Sequence, residues 1–480
     1  MSWAGKSATE IAAAVRQGRT TAAAVIEDHL RAIAERDRRV GAFRVVRERA
    51  LKEAEEIQDR PNLSELPLAG VPVAVKDNVE VAGEPMRCGS AATPDDPAAA
   101  DHETVARLRA AGAVVIGLTN VPELCLVGFG DSTYGTVRSP WDLTRTAGGS
   151  SSGSAAAVSA GMVPLALGND GMGSLRIPAA CCGVVAIKPG TGLVPPPTDH
   201  WRGLSENGPI ATNVPDLALM LSVLAADPSL AESWRTGRRT EPAPPPLRSV
   251  WADDEEVWEP PPPKNGPEPF DLRVAYAPQP LPVGLPMDAE FRSAVRGAAE
   301  TLRRAGHTVV ERADRLPMWL GNATIATWLS CAAESAAPYD PRTLEPRTRG
   351  LARAGRALKR LGMTGAQGRD RWRDYGADQW FGDADVLLTP TLAATPPGAE
   401  RWGERGALRN ALVNVRYASV TGAWNMCGWP AMSVPVATHS AGVPIAVQLI
   451  APPGGEPHLL GLAAQLQAAH PPIRPPGFSV

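Results

Sequence analysis

The chain has 480 residues, of which 44% are hydrophobic and 21% charged, and its formal net charge is −3. This balance excludes the strongly basic surface that binds nucleic acid or an anionic membrane. It contains no run of about eighteen apolar residues that would span a bilayer, and its N-terminus lacks the apolar segment of a secretory signal. We therefore expect a cytoplasmic protein without nucleic-acid or membrane partners.

Capping and hydrophobic periodicity predict the elements of the first half of the chain. Ser7-Ala-Thr-Glu10 is a capping box that begins a helix through Val15, and a second helix carries Val25 and Ile33 on one face. Short strands alternating with helices then indicate an α/β sheet covered on both faces. The predicted strands are Gly70–Lys76, Ala113–Leu118, Val163–Leu167 and Gly183–Ile187, and the predicted helices are Asp101–Gly112 and Ser154–Ala160.

A proline-rich segment at residues 239–268 interrupts this pattern and is predicted to be an exposed linker or surface loop. The α/β pattern then resumes, and the stretch from Trp319 to Trp380 is predicted to be largely helical. The later strands are predicted at Leu272–Ala277, His307–Glu311, Asp385–Pro390, Ala431–Val436 and Ile445–Ile450, and the later helices at Asp288–Ala305 and His458–Ala469.

The six cysteines show neither Cys-x-x-Cys spacing nor histidine partners at metal-ligand spacing. We interpret them as reduced, mostly buried thiols. The sequence therefore predicts no metal site.

Two clusters rich in glycine and serine, at residues 146–154 and 170–178, suggest two serines on unusual backbone. The first cluster formally matches G-x-S-x-G. A nucleophile elbow of that kind lies between an apolar strand and a helix, whereas residues 140–147 are largely polar. A flexible linker is also disfavoured, because neither flank has low complexity.

Lys76 is a candidate base for these serines. It follows the apolar run Val71–Val75, and burial there would favour the neutral amine that a lysine base requires. The alternative is an ordinary lysine at a strand end, paired with Asp77. Without the other motifs, the ordinary strand-end lysine is the favoured interpretation of Lys76.

The ordered motifs resemble those of the amidase signature family, whose members hydrolyse amides through a Ser–cis-Ser–Lys triad. The resemblance is strong over residues 5–230 and weaker over 270–470. It implies an α/β fold in which a large mixed twisted β-sheet is sandwiched between helical layers, and an enzyme that cleaves a small-molecule amide without a cofactor. The matching stretches are Gly70–Asn78, Ser139–Asp142, Gly148–Gly153, Asp170–Pro178, Cys182–Pro189, Gly208-Pro209 with Asp216, and Gly428–Ala431.

Carried over position by position, the resemblance implies that Ser174 is the nucleophile, Ser150 the relay that follows a cis peptide, and Lys76 the general base. An acyl-enzyme on Ser174 would be the intermediate. Ser151 and Asp170 are expected to support the triad by hydrogen bonds, and Arg176 to stabilise the loop as a buried arginine with a carbonyl partner. The backbone N–H groups suitably grouped to bind the oxyanion are those of Gly171, Met172, Gly173 and Ser174, the first three being the predicted site.

The catalytic loop departs from the family pattern. The family usually has Thr-Asp-x-Gly-Gly-Ser where this chain has Asn169-Asp-Gly-Met-Gly-Ser174. Met172 is expected to narrow the site without removing the backbone donors. Further departures are Leu118, in place of a frequent lysine, and Ala186 and Ala446, in place of glycine; all of these bear on substrate class more than on reaction type.

Substrate choice is expected to lie in the Glu123–Phe129 loop and in the second half of the chain. The excess of tryptophan, 13 against 6 phenylalanines and 5 tyrosines, favours an apolar or aryl acyl group. Each tryptophan is nevertheless more often a core residue than a pocket wall. The predicted substrate-binding residues are Leu124, Phe129 and Trp424, with Trp319, Trp328 and Trp429 as further candidate walls.

We predict a single domain over residues 1–480. It comprises N-terminal helices in 1–60, a catalytic core in 65–230, the proline-rich segment, and the remaining sheet with substrate-pocket helices in 270–480. A homodimer is left open. Three alternatives to a hydrolytic amidase also stay open: a glutaminase-like amidotransferase subunit, an acyl-transferring amidase, and an inactive binding homologue.

Overall fold

The computed structural model describes residues 2–239, 271–282 and 284–478. Eleven strands form one sheet, and two short ribbons lie outside it: Asp131–Ser132 with Gly135–Thr136, and Arg138–Ser139 with Asp142–Thr146. The strands of the main sheet, in chain order, are β1 Phe43–Val46, β2 Pro72–Lys76, β3 Val114–Thr119, β4 Leu165–Asp170, β5 Val185–Lys188, β6 Glu206–Ala211, β7 Arg273–Tyr276, β8 Thr308–Glu311, β9 Val386–Pro390, β10 Ala431–Thr438 and β11 Pro444–Ile450.

The strands lie in the order β1-β3-β2-β4-β6-β5-β10-β11-β9-β7-β8. β2 is parallel to both β3 and β4, and β7 is parallel to both β8 and β9. The other neighbouring pairs are antiparallel. The predicted α/β fold with a large mixed sheet is confirmed.

Helices flank this sheet. Within the described ranges, none of them is both long and apolar enough to cross a membrane. A five-residue π-helical segment, Trp372–Gly376, separates the helices Ala366–Arg371 and Ala377–Phe381. The α-helices are α1 Ala8–Arg16, α2 Ala22–Val40, α3 Ala50–Gln58, α4 Glu103–Ala110, α5 Ser152–Ser159, α6 Arg176–Cys182, α7 Val214–Ala225, α8 Ser233–Thr236, α9 Ala289–Arg304, α10 Met318–Ser335, α11 Pro346–Arg360, α12 Ala366–Arg371, α13 Ala377–Phe381, α14 Ala407–Ala418, α15 Ala423–Met426 and α16 Glu456–Ala469.

Local signals predicted several of these elements closely. The capping box of α1 is present, because the Ser7 hydroxyl accepts from the Glu10 N–H and the Glu10 carboxylate accepts from the Ser7 N–H. The prediction that Asp101 begins α4 was wrong by one residue. His102 is the N-cap, while the Asp101 carboxylate accepts from the Ala82 N–H. The proline-rich segment lies outside the described residues, apart from Arg239.

The parallel strands β2 and β4 position the functional residues. Val75 of β2 pairs with Leu167 of β4, so the carboxyl ends of both strands reach the same edge of the sheet. Helix α5 packs beside them and is buried along its whole length. Gly168 of β4 permits this approach, because a Cβ there would collide with the side chain of Ser151, the residue that precedes α5. Small residues therefore bring two loops together where β2 and β4 end.

Candidate active site

Lys76 is the last residue of β2 and is completely buried. Its Nζ lies 2.8 Å from Ser150 Oγ, 2.6 Å from Asn169 Oδ1 and 3.3 Å from the Asn169 carbonyl oxygen. The alternative pairing with Asp77 is not observed, since Asp77 receives two hydrogen bonds from the Arg44 guanidinium at 2.7 and 2.9 Å. The structure thus joins Lys76 to a serine and an amide rather than to a carboxylate.

Burial lowers the pKa of Lys76 below the ordinary value of a lysine, because the charged amine loses its hydration. The nearby Asp170 carboxylate acts in the opposite direction without reversing this shift. A buried lysine with three oxygen neighbours and a lowered pKa is suited to exchange a proton with one of them.

Ser150 lies in the loop that precedes α5, and its side chain is buried. The peptide bond between Gly149 and Ser150 is cis, as the family resemblance implied. The next residue ties this loop to the second cluster, because the Ser151 N–H donates to the Ser174 carbonyl oxygen at 3.1 Å. The Ser151 hydroxyl donates to the Asn169 carbonyl oxygen at 3.2 Å. Ser151 therefore connects the two Gly/Ser clusters directly.

Ser174 lies in the turn between β4 and α6 and is half-buried. Gly173 precedes it with φ of 119°, a backbone conformation that L side chains rarely adopt. A Cβ at Gly173 would also collide with the Thr421 hydroxyl, which itself donates to the Met172 carbonyl oxygen at 2.9 Å. Residues from the far half of the chain thus fix the turn that presents Ser174.

The backbone N–H groups of this turn are not equivalent. That of Gly173 donates to the Asp170 carboxylate. In the part of the chain that the structure describes, the N–H groups of Gly171, Met172 and Ser174 have no such hydrogen-bond partner. The turn accordingly leaves three of its backbone N–H groups available as donors.

Asp170 and Arg176 form a buried ion pair beneath the turn, with Arg176 Nε donating to Asp170 Oδ2 at 2.8 Å. Burial raises the pKa of Asp170, but attraction to Arg176 and its hydrogen bonds outweigh burial and hold that pKa well below its usual range. Arg176 also donates to the Thr421 carbonyl at 3.0 Å and to Gln448 Oε1 at 2.6 Å. Arg176 has the expected carbonyl partner, and through Asp170 it connects the turn to the second half of the chain.

Two cavities meet at Ser174, and Cys125 and Trp201 also line both. We call the smaller cavity, of about 130 Å³, the polar chamber. We call the larger cavity, of about 440 Å³, the apolar chamber. The side chains that line the polar chamber include the polar ones of Asn78, Ser150, Asn169, Thr198, Asp199, Ser205 and Ser335 and the less polar ones of Met86, Leu124 and Tyr339. Residues typical of the apolar chamber are Met172, Ile177, Leu320, Ile325, Trp328 and Ala423.

The three predicted substrate-binding residues lie in different surroundings. Leu124 lines the polar chamber, whereas Phe129 and Trp424 line neither chamber. Phe129 is stacked on Trp402 with ring centroids 4.9 Å apart, and Trp424 lies in an aromatic cluster with Trp372. Phe129 and Trp424 are therefore core residues here.

The other tryptophans divide similarly. Trp328 lines the apolar chamber and donates through Nε1 to the Leu126 carbonyl at 2.7 Å. Trp319 and Trp429 pack against aromatic rings and line neither chamber. Trp201, which was not among the residues predicted from the sequence, lines both chambers.

Asn169 is another residue that sequence reasoning missed. It replaces the threonine usual at this position, and its amide both accepts from Lys76 and donates to Asn78 Oδ1 at 2.8 Å. The departure from the usual motif was the available signal, but the partner lies 93 residues away in the chain.

The cysteines are all free thiols, and four of the six are buried, as predicted. Cys88 and Cys125 are half-buried and line the polar chamber. Within residues 2–239, 271–282 and 284–478, no group of three or more His, Cys, Asp and Glu side chains is arranged to hold a metal ion.

The chain is similar in sequence to a known protein family and to several of its members. A family model described as Amidase matches residues 24–460. A Mycobacterium tuberculosis protein named "Putative amidase AmiB2" is 38% identical over 468 residues, covering 95% of this chain and 94% of its own. An acylamidase of Rhodococcus erythropolis is 32% identical, covering 97% and 95%.

Solved structures agree with the sequence comparison. The 6-aminohexanoate cyclic dimer hydrolase in complex with its substrate superposes with a TM-score of 0.79 at 27% identity, covering 99% of both chains. The chain therefore shares both fold and sequence with amide-hydrolysing enzymes along nearly its whole length.

Proposed function

This chain belongs to the amidase signature family, and on that premise we propose that Ser174 is its nucleophile, Ser150 its proton relay and Lys76 its general base. Membership makes the protein an amidase, a hydrolase that acts on amides. The observation that carries the proposal is the 2.8 Å distance between Lys76 Nζ and Ser150 Oγ at the edge of the chamber that Ser174 lines.

In the proposed reaction, neutral Lys76 takes the proton of Ser150 while Ser150 takes that of Ser174. The Ser174 oxygen attacks the amide carbonyl, and a tetrahedral intermediate forms. The proton returns from Lys76 through Ser150 to the amide nitrogen as the C–N bond breaks. The amine departs and an ester on Ser174 remains, which water cleaves by the same proton path.

The negative oxygen of the intermediate requires donors already in place. We assign this role to the backbone N–H groups that the turn leaves available, those of Gly171, Met172 and Ser174. The Gly173 N–H, also expected from the sequence, is engaged by Asp170 and serves to shape the turn instead. The Asp170–Arg176 pair supports the donors and touches no reacting atom.

The test is amide turnover by the wild type and by Ser174→Ala, measured as product acid and amine. The proposal expects the variant to lose at least about 10³-fold in kcat. Folding is checked by comparing the chemical denaturation midpoints of the two proteins. A folded Ser174→Ala protein with wild-type turnover contradicts the assignment of the nucleophile.

A panel with glutamine and with added hydroxylamine separates hydrolysis from the other chemistries. Strong preference for glutamine together with a copurifying partner favours an amidotransferase subunit. Hydroxamate as the main product favours acyl transfer. We expect neither result, since the comparisons name hydrolases of amides and the chain matches an acylamidase over nearly its full length.

A further inference from the structure

The two chambers at Ser174 are chemically different. The polar chamber is lined by amides, hydroxyls and thiols together with Met86, Leu124, Trp201 and Tyr339, whereas the apolar chamber is lined mainly by aliphatic and aromatic side chains. An amide substrate likewise has two parts, an acyl group and an amine, which separate when the C–N bond breaks. The orientation of the substrate therefore determines which part each chamber must accept.

The position of Ser150 indicates how the substrate is oriented, because Ser150 lines the polar chamber and not the apolar chamber. The amide nitrogen can leave only when it receives a proton, and in the proposed reaction that proton comes from the Ser150 hydroxyl. The nitrogen must then lie within hydrogen-bond reach of Ser150, on the polar side of Ser174. The acyl group is directed to the opposite side, toward Met172 and Trp328.

We infer that this amidase acts on amides of bulky apolar carboxylic acids whose amine portion is small and carries no negative charge, an inference that rests on the proposed function. The apolar chamber, at about 440 Å³, lies within the size range of small-molecule sites. The polar chamber, at about 130 Å³, accepts ammonia or a short amine.

Charge selects among the amines. Of the described residues that line the two chambers, the one charged side chain is Asp199, which is exposed and accepts from the Ser335 hydroxyl at 2.8 Å. No lysine, arginine or histidine lines either chamber in the described ranges. An amine bearing a carboxylate meets repulsion and no counter-charge, whereas a cationic amine meets an attractive carboxylate.

The first experiment compares kcat/KM for acetamide, hexanamide and phenylacetamide. A second series keeps the phenylacetyl group and varies the amine: propylamine, ethylenediamine and glycine. We expect phenylacetamide to exceed acetamide by at least about 10-fold, because the aryl group buries apolar area. Within the second series, we expect the ethylenediamine amide to be the best substrate and the glycine amide the worst.

Asp199→Asn tests the charge argument. The variant is expected to reduce the ratio of kcat/KM between the ethylenediamine and glycine amides by roughly 3–10-fold at low salt, and added salt is expected to reduce it in the wild type. An unchanged ratio overturns the role of Asp199.

Gly321→Leu tests the acyl position. Gly321 lies on α10 and lines the apolar chamber, and a Cβ there would meet no atom within 4 Å, so the new side chain starts in open space. We expect kcat/KM for phenylacetamide to fall by roughly 10-fold relative to that for acetamide. Gly297→Leu on α9 is the matched control, since it is equally open but lines neither chamber.

These outcomes separate a failure of the proposed function from a failure of the inferred substrate class. Turnover of these amides that survives in Ser174→Ala, or is absent in the wild type, contradicts the proposed function. Ser174-dependent turnover that favours acetamide, or favours the glycine amide, overturns only the inferred substrate class. Gly321→Leu acting equally on all substrates likewise overturns the placement of the acyl group.

Discussion

The side-chain oxygen of Asn169 lies 2.6 Å from the amine nitrogen of Lys76, and the carbonyl oxygen of Asn169 lies 3.3 Å from the same atom. A neutral lysine has two N–H donors and one lone pair. If both donors point to Asn169, the lone pair faces the Ser150 hydroxyl at 2.8 Å. In the proposed mechanism, Asn169 thus orients Lys76 to accept a proton from Ser150.

Asn169→Asp tests this relationship through the pH dependence of kcat/KM. In the proposed mechanism neutral Lys76 is the active form, so activity is expected to rise as pH rises through the pKa of Lys76, which burial lowers in the wild type. A carboxylate at residue 169 stabilises the charged lysine and raises that pKa, so the acid limb should move up by roughly 1–3 pH units. An unmoved acid limb in a folded Asn169→Asp protein contradicts the assignment of Lys76 as base.

Ser150→Ala removes the relay while leaving Ser174 and Lys76 in place. We expect kcat/KM to fall by roughly 10²–10⁴-fold, the usual contribution of a positioned acid–base group. Ser159→Ala is the control, because Ser159 is also buried and donates only to the Cys182 carbonyl. Equal losses in the two variants would indicate a general packing defect rather than a lost proton path.

Asp170→Asn should act mainly on stability. The change leaves the buried Arg176 guanidinium without its counter-charge, which costs about 3–5 kcal/mol in the free energy of unfolding. Urea denaturation measures the change, and Asp340→Asn, at an exposed pair with Arg342, should leave the midpoint unchanged. A wild-type midpoint for Asp170→Asn would show that the buried pair does not hold the turn.

The same pair predicts the direction of acid sensitivity. The pKa of Asp170 is lower in the folded protein than in the unfolded chain, so its contribution to stability is complete above the unfolded value, near 3.9. Below that value the contribution is lost as pH falls toward the folded pKa. Denaturation midpoints of wild type and Asp170→Asn should therefore converge as pH falls below about 4.

Met172→Ala should alter selectivity more than chemistry. The side chain lines the apolar chamber beside Ser174, while the proposed oxyanion contact uses only its backbone N–H. We expect kcat/KM for acyl groups branched next to the carbonyl to rise roughly 10-fold relative to unbranched ones. Met363→Ala, at an exposed residue that lines neither chamber, should leave this ratio unchanged.

Sequence signals predicted the strands with continuous apolar residues, such as β2 and β3, and the ordered motifs predicted the family. Strand β6 was missed because Glu206-Asn-Gly-Pro-Ile-Ala211 contains glycine, proline and two polar residues, although every residue is buried. Tertiary pairing on both sides, with β4 and β5, overrides that unfavourable local composition.

The residues of the site likewise divide into those that the sequence predicts and those that only the folded structure reveals. Roles that follow from motif order, such as those of Ser150 and Ser174, were available from the sequence as predictions. The contacts of Asn169 and Trp201 depend on chain segments brought together only by folding. Phe129 and Trp424 were predicted as pocket walls, but composition alone does not separate a pocket ring from a core ring.

The assignment of Ser174 as nucleophile is tested most directly by trapping. The protein is treated with a fluorophosphonate, digested, and analysed by mass spectrometry to locate the modified residue. We predict one adduct, on the Ser174 hydroxyl, with labelling that parallels the loss of amide turnover and is abolished in Ser174→Ala. Labelling at another residue, with turnover lost in parallel, would contradict it.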